Sequence, residues 1–462
     1  MLLRFTVENF LAFRDEAELN LLASRDDRHA SHVTITSGLK QHRVVKAAAI
    51  YGANGHGKTK LIEAMSFVRD LLRHGTTGED PIAVMPFRPE PEASARPAKF
   101  TFDINVDGVD YEYGIVVASD RVCEEWLFTT RKGKSIPMFE RATTKATSGE
   151  YITEVQVGQG FRKSAEEGRK KGFVDFVAFG TRPTQPFLTE SIERNIKEFA
   201  PIHNWFSHQL VILSADATYA SLPIRAKDDQ KFIQFVSDFM RRADIGIDHF
   251  EAEEKPFELS KLDIPEEFHR EIQQQCEKGG IVLLGNSDQS SIAVKLDDHG
   301  RFVRVGLTSV HKAANGRLTN FAFDEESAGT QRLMHLLPLL LDIRTQDKTY
   351  IVDELDRKLH PLLAYRFLDA ALSEDTIGQL VFTTHNIQLL DRELLRRDEI
   401  WFVEKDRDGA SHLISLANIK VRPDLRISKG YWAGRFGGVP VDGRFAEAAI
   451  PDTYAEADNH AH

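Results

Sequence analysis

Apolar and polar residues alternate over Leu3, Phe5 and Val7 and again over Ala17, Leu19 and Leu21, with a polar break at Arg14 to Glu16. This predicts two strands. A sharper hairpin follows: Phe100, Phe102, Ile104 and Val106 share one face, Asp107-Gly108 suits a type I′ turn, and Val109, Tyr111, Tyr113 and Ile115 continue the alternation. An apolar run from Val44 to Ile50 reads as a buried strand, and Leu61 to Leu72 has helical spacing. From about residue 125 to 305 the character changes to Gly- and Lys-rich loops and helical patterns such as Phe232, Phe235, Val236 and Phe239. The charged stretch Glu251 to Lys255 follows, then a mostly polar helix from Phe268 to Lys278. This region is expected to lie outside the core built by the flanking elements.

The last third returns to alternating elements. Leu333 to Leu341 reads as a long apolar helix edge, Thr349 to Val352 as a buried strand ending in Asp353-Glu354, Pro361 to Leu372 as a helix, and Leu380 to Thr383 as a strand ending at His385. Such an order predicts a parallel sheet covered by helices.

The chain has 462 residues, enough for two or three domains, and is 42% hydrophobic and 28% charged, as expected of a globular protein. No apolar run reaches bilayer length and Met1 to Phe13 alternates instead of forming a signal block, so the expected location is cytoplasmic, with no membrane partner. Cys123 and Cys276 are far apart and suggest neither a disulfide framework nor a thiolate metal site. A formal net charge of −11 argues against coating nucleic acid through a global field. Locally, Arg131, Lys132, Lys134, Arg141, Lys145, Arg162, Lys163, Arg169, Lys170 and Lys171 concentrate positive charge. That stretch is either a solvated loop region with intermixed Glu or a binding surface.

The chemistry begins at Gly52-Ala53-Asn54-Gly55-His56-Gly57-Lys58-Thr59, between the apolar run and the helix. A strand feeding a Gly-rich turn and a helix aims backbone N–H groups and the positive helix end at one point, where triphosphate oxygens can sit. Asn54, Gly55, Gly57, Lys58 and Thr59 are the expected nucleotide contacts, with Lys58 on the β and γ phosphates and the Thr59 hydroxyl on Mg²⁺. Asp353, at the end of an apolar strand, is placed to join Thr59 at that metal, and Glu354 to orient or deprotonate a water. Glu326-Ser327-Ala328-Gly329-Thr330-Gln331 opens the helix before the acidic strand. On its residues alone Ser327 is either an anion site or a plain helix cap.

Together these motifs resemble the ABC-class ATPases, in the branch shared by SMC, RecF and the overcoming-lysogenisation-defect (OLD) and abortive-infection ATPases. The resemblance spans residues 1 to about 120 and 305 to 440. It implies an α/β fold: an ABC-type P-loop ATPase head with a mixed sheet flanked by helices, an antiparallel β-subdomain and an inserted α-rich domain. The implied division is 1–122 for the N-terminal part of the head and 123–305 for the insertion, regulatory or partner-binding. Residues 306–440 form the C-terminal part, and 441–462 a tail expected to be disordered. In that family the Ser-x-Gly signature grips the γ-phosphate bound to the opposite subunit, which assigns Ser327 and Gly329 a role in trans and implies a homodimer or higher homo-oligomer. Asp353 to His360 resembles the acidic strand and D-loop, with His360 where many members have Asp, and His385 resembles the switch histidine. One departure is that no Gln stands between Lys60 and Gly149, where the family usually carries its Q-loop residue.

Ile400 to Phe402 and Gly430 to Gly437 look like the closing segment of stand-alone abortive-infection ATPases. Only 77 residues follow His385, too few for the nuclease domain of the OLD proteins. The expected function is therefore an ATPase of antiphage defence that binds ATP with Mg²⁺, dimerises, and controls a separately encoded, nuclease-like effector. A RecF-like or SMC-like ATPase that clamps duplex DNA is the alternative. A small-molecule kinase or GTPase is a third reading, against which the signature and switch histidine speak.

Overall fold

In the computed structural model the described residues are 1–38, 40–78, 80–131, 133–262, 264–285, 291–420 and 426–439. The tail expected over 441–462, and Lys132, lie outside them. Among the described residues an antiparallel sheet runs in the order β10 (Tyr151–Val157), β9 (Lys134–Lys145), β8 (Arg121–Arg131), β7 (Val109–Ala118), β6 (Ala98–Val106), β1 (Leu2–Glu8) and β2 (Ala17–Asn20). A second sheet runs β11 (Leu210–Leu213), β17 (Thr349–Val352), β18 (Gln379–Thr383), β5 (Ala47–Tyr51), β19 (Ile400–Lys405) and β20 (Ser411–Ser415). Its strands are parallel except β20, which pairs antiparallel with β19. A third sheet runs β12 (Ile247–Pro256), β15 (Phe302–Lys312), β14 (Ser291–Leu296) and β13 (Val282–Gly285), with β16 (Leu318–Ala322) also on β15. The strands β3 (Val33–Ile35) and β4 (Arg43–Val45) form a separate ribbon.

Side-chain alternation explains the layering. From the parallel sheet, Ala48, Ile50, Ile351, Val381, Trp401 and Val403 face one core, shared with the antiparallel sheet and the helix Lys58–His74. Ala49, Tyr51, Tyr350, Val352, Phe382 and Phe402 face the other, shared with the helices Ala328–Thr345 and Pro361–Ala371. The fold is thus α/β, a mixed sheet flanked by helices with an antiparallel β-subdomain. The predicted hairpin is present, with Val106 opposite Val109 and positive φ at both Asp107 and Gly108. The Val44 to Ile50 run divides at Lys46 into β4 and β5, which belong to different sheets. No helix among the described residues is long and apolar enough to cross a membrane.

The region 123–305 differs from the α-rich insertion expected of it. Helices such as Gln230–Arg242 and Glu266–Glu277 stand where the spacing put them. However, the 122/123 boundary falls inside β8, and β9 and β10 extend the same antiparallel sheet. The charged stretch Glu251 to Lys255 lies in β12, paired with β15 while Ile247 and Phe250 fill the core. Glu251, Glu253 and Lys255 lie on the face opposite Phe250 and Ala252, and Glu254, on the Phe250 face, is paired with Lys227 and Lys295. In addition, β11 lies in the nucleotide-core sheet beside β17, so this stretch is not wholly outside that core. Four apolar residues carry too little periodicity to separate such a strand from a loop or helix fragment.

Two buried polar side chains join the layers. The Gln379 Nε2 donates to Leu2 O at 2.9 Å and Val45 O at 3.3 Å, while its Oε1 accepts from Leu2 N at 2.6 Å and Thr349 Oγ1 at 3.0 Å. Glu125 accepts from Phe187 N at 2.6 Å, Leu188 N at 3.0 Å and Tyr113 Oη at 3.1 Å, with Arg141 at 3.4 Å. Replacing Gln379 by Leu keeps its approximate volume and strands the Leu2 backbone groups. We expect about 2 kcal/mol of lost unfolding free energy, read by urea denaturation.

Candidate nucleotide site

The site forms where β5, β18 and β17 end side by side, the usual ligand crevice of a parallel sheet. The turn after β5 requires its glycines at three points. Gly55 and Gly57 have φ of 76° and 109°, and a Cβ on Gly52 would lie 2.7 Å from Val403 O. The Ser411 hydroxyl on β20 donates to His56 O at 2.7 Å and so braces the loop from behind. Asn54 and Gly55 are exposed at its tip. Lys58 opens the following helix and is buried, its Nζ donating to Gly52 O at 2.8 Å and Ala53 O at 3.2 Å. Burial lowers its pKa to about 8, opposed by the nearby carboxylates of Asp353, Glu354 and Asp356.

Asp353 ties the loop to the opposite strand. Its Oδ2 accepts from the Thr59 hydroxyl at 2.9 Å and its Oδ1 from the Thr383 hydroxyl at 2.5 Å. The strand order explains this bridge: β18 lies between β17 and β5, so a side chain from its end fills the gap between acid and loop. The Thr383 oxygen also accepts from Glu354 N at 2.7 Å, and Glu354 has a φ of 45°, which turns the chain sharply after the strand. His385 stands on the same side of the sheet. Desolvation and then the Lys58 charge lower its pKa, while Glu354, Asp356 and Asp353 oppose them.

Ser327 and Gly329 are placed differently. The Ser327 Oγ caps the helix Ala328–Thr345, accepting from Thr330 N at 3.1 Å, and the residue is exposed. A Cβ on Gly329 would meet Lys358 O at 2.8 Å, so the helix start seats directly on the loop after Asp353. Among the described residues no hydrogen bond joins either residue to the phosphate loop. One subunit therefore brings together Lys58, Thr59, Asp353, Glu354 and His385, and leaves Ser327 and Gly329 apart from them. His360 acts as the acceptor that an Asp would supply, its Nδ1 taking Leu362 N at 3.2 Å at the start of the helix Pro361–Ala371.

Three residues near Glu354 were not anticipated. Arg357 lies 3.0 Å from Asp216 Oδ2 and 3.5 Å from Glu354 Oε2, and buried Arg332 donates to Ala217 O at 3.2 Å and Glu354 O at 3.5 Å. A signal for Asp216 was present. Leu210 to Leu213 followed by Ser-Ala-Asp repeats the pattern of Thr349 to Asp353, an apolar strand ending in an acid.

The family model for the AAA domain described as putative AbiEii toxin, Type IV TA system, matches residues 47–391. The chain belongs to this family. No curated protein matches it. Among solved structures, this AAA-family chain is similar to the SMC head domain from Thermotoga maritima, at 13% identity and a TM-score of 0.36, covering 91% of this chain and 99% of that one. It is also similar to an SMC head bound to the C-terminal winged-helix domain of ScpA, at 13% identity and 0.38, covering 90% and 97%. A third likeness is to an SMC head with an extended coiled coil, bound to the C-terminal domain of ScpA and derived from Pyrococcus furiosus, at 12% and 0.35, covering 94% and 98%. Family membership makes the protein a P-loop AAA ATPase by kind and implies nucleotide binding.

The lowered Lys58 pKa has a measurable consequence. Without nucleotide the ammonium loses its proton as pH rises through about 8, and phosphate oxygens stabilise the charged form. ATP affinity should fall as pH rises above 8, by at most about ten-fold per unit, with net proton uptake on binding. Calorimetry in buffers of different ionisation enthalpy reads both, and Lys58→Ala should abolish the uptake.

Proposed function

We propose that this protein is an ATP-hydrolysing switch of antiphage defence that dimerises on ATP and thereby controls a separately encoded effector, most simply a nuclease. The observation carrying this reading is the division of the site. Loop, metal-side carboxylate and Glu354 converge within one chain, while the Ser327 helix start is exposed and separate. An exposed helix N-terminus is an anion-binding surface awaiting a ligand from outside. Two chains related by a two-fold axis each supply what the other's site lacks. The family's description as a putative toxin of a toxin–antitoxin system supports a defence setting with a partner component.

The residues present fit Mg²⁺–ATP. Thr59 and Asp353 offer hard oxygen donors 2.9 Å apart, and Lys58 is now satisfied by two loop carbonyls that a phosphate would replace. When bound, Mg²⁺ neutralises charge on the β and γ phosphates. Asn54, Gly55 and Gly57 give the loop the backbone shape that surrounds those oxygens, and Lys58 supplies the buried positive charge. Glu354, held by Thr383 and by Arg357, takes a proton from the attacking water as its oxygen bonds to the γ-phosphorus and the bond to the β-phosphate oxygen breaks. His385 senses the γ-phosphate from the β18 side, and the partner's signature, Ser327 and Gly329, closes over it. ATP therefore favours the paired state and hydrolysis releases it.

The duplex-clamp reading rested on the basic stretch, and the local environment weakens that support. Arg141 is buried against Glu125, Arg162 is paired with Asp175 at 2.5 Å, and Arg169 donates to Asn195 O at 2.7 Å and to Ala165 O. These three arginines are engaged within the subdomain, whereas Lys134, Lys145, Lys163, Lys170 and Lys171 are exposed.

Glu354→Gln should retain ATP and accumulate a stable dimer in size-exclusion with light scattering, with turnover at least about 100-fold lower. A monomer at saturating ATP contradicts the paired mechanism. Removing the adjacent effector gene should abolish protection in cells and leave ATP turnover intact, whereas protection by this chain alone contradicts effector control.

A further inference from the structure

A cavity of about 500 Å³ opens between the β12–β15 sheet, the segment Ala215–Tyr219 and the first turns of the helix Ala328–Thr345. It is separate from the phosphate loop, no residue of which lines it. Arg332 lines this cavity and is 6% exposed. Its terminal nitrogens reach only the carbonyls of Ala217 and Glu354, at 3.2 and 3.5 Å, and its Nε has no partner. Among the described residues no carboxylate lies within 4.0 Å of it, because Asp216, on the same wall, is paired with Arg357 at 3.0 Å. Asp216, Asp356 and Glu354 act on this buried guanidinium only at longer range, and an anion in direct contact is its natural complement.

The remaining walls combine charged side chains, Glu253, Lys255, Arg304, Asp324, Arg357 and Lys358, with an apolar patch. Tyr219, Leu222, Phe323 and His335 line the cavity. His335 accepts from Tyr219 N at 3.1 Å through Nδ1 and stacks edge-on with Phe323, and burial holds its pKa at about 4. It is thus a neutral, flat wall at physiological pH. The size and the mixture of aromatic surface with one buried cation are those of a small-molecule pocket.

We propose that this cavity binds a small organic anion, with one phosphate or carboxylate group on the Arg332 guanidinium and an aromatic or apolar body against Tyr219, Leu222 and Phe323. This cavity shares no residue with the phosphate loop, although Arg332 and Arg357 on its wall touch Glu354, and the proposal does not depend on the roles given to that loop. Phenyl phosphate is a suitable probe, and calorimetry on the full chain reads its binding. Binding should be one-to-one, persist in Lys58→Ala, and weaken about ten-fold or more in Arg332→Gln. Ala322→Trp fills the cavity from the β16 side and leaves Arg332 in place, so it should abolish binding even if Arg332→Gln misfolds. The proposal is overturned by no heat at millimolar phenyl phosphate, by binding that is lost in Lys58→Ala, or by binding unchanged in Ala322→Trp. A benzoate titration distinguishes the head group: tighter phenyl phosphate points to a phosphorylated ligand, tighter benzoate to a carboxylate, and both support the site.

Discussion

The Asp353 carboxylate is the tie on which the nucleotide site depends. It is buried, and it stays so because two hydroxyls from two other elements satisfy it, Thr59 at the start of the phosphate-loop helix and Thr383 at the end of β18. Three neighbouring strand ends are thereby held in one register before any ligand arrives. The same Thr383 oxygen takes the Glu354 amide, so the residue assigned to water activation is positioned by the strand that also carries His385. Asp353, Thr59 and Glu354 are thus parts of one hydrogen-bonded unit.

The Ser327 helix start stands outside that unit. Ser327 and Gly329 sit at a helix start packed on the loop after Asp353, and Gly329 is confined there by the Lys358 carbonyl. This tight seat, in our account, links movement of the helix Ala328–Thr345 to that of the Asp356–His360 turn. In our account, a second subunit bound over the phosphate loop is therefore felt at its own Glu354. Arg332 and Arg357 reinforce the link, since each touches Glu354 from the side of β11 and the signature helix. The region between residues 123 and 305 thus reaches the site through β11 and Asp216.

The legible parts of the sequence were those with strong local signals. The loop from Gly52 to Thr59, the strand ending in Asp353 and the Asp107-Gly108 turn carry their structure in residues adjacent in sequence. A parallel sheet covered by helices was readable from strand and helix alternation, but the order of its strands was not. What escaped notice had weak or misleading local signals. β11 is four residues long, the Glu251 to Lys255 strand looks like a solvated charge run, and Arg141 looks like surface charge but is buried beside Glu125. Thr383 is silent in sequence because its role comes from strand order: only with β18 between β17 and β5 does its hydroxyl face Asp353.

The central claim is that a working site is built from the phosphate loop of one chain and the signature helix of another. Mixing two inactive variants, Lys58→Ala and Ser327→Arg, tests it most directly. The mixed dimer contains one intact composite site, so ATP turnover should reappear on mixing although neither variant turns over alone. A mixture as inactive as its components, with mixed dimers demonstrably formed, would contradict the account.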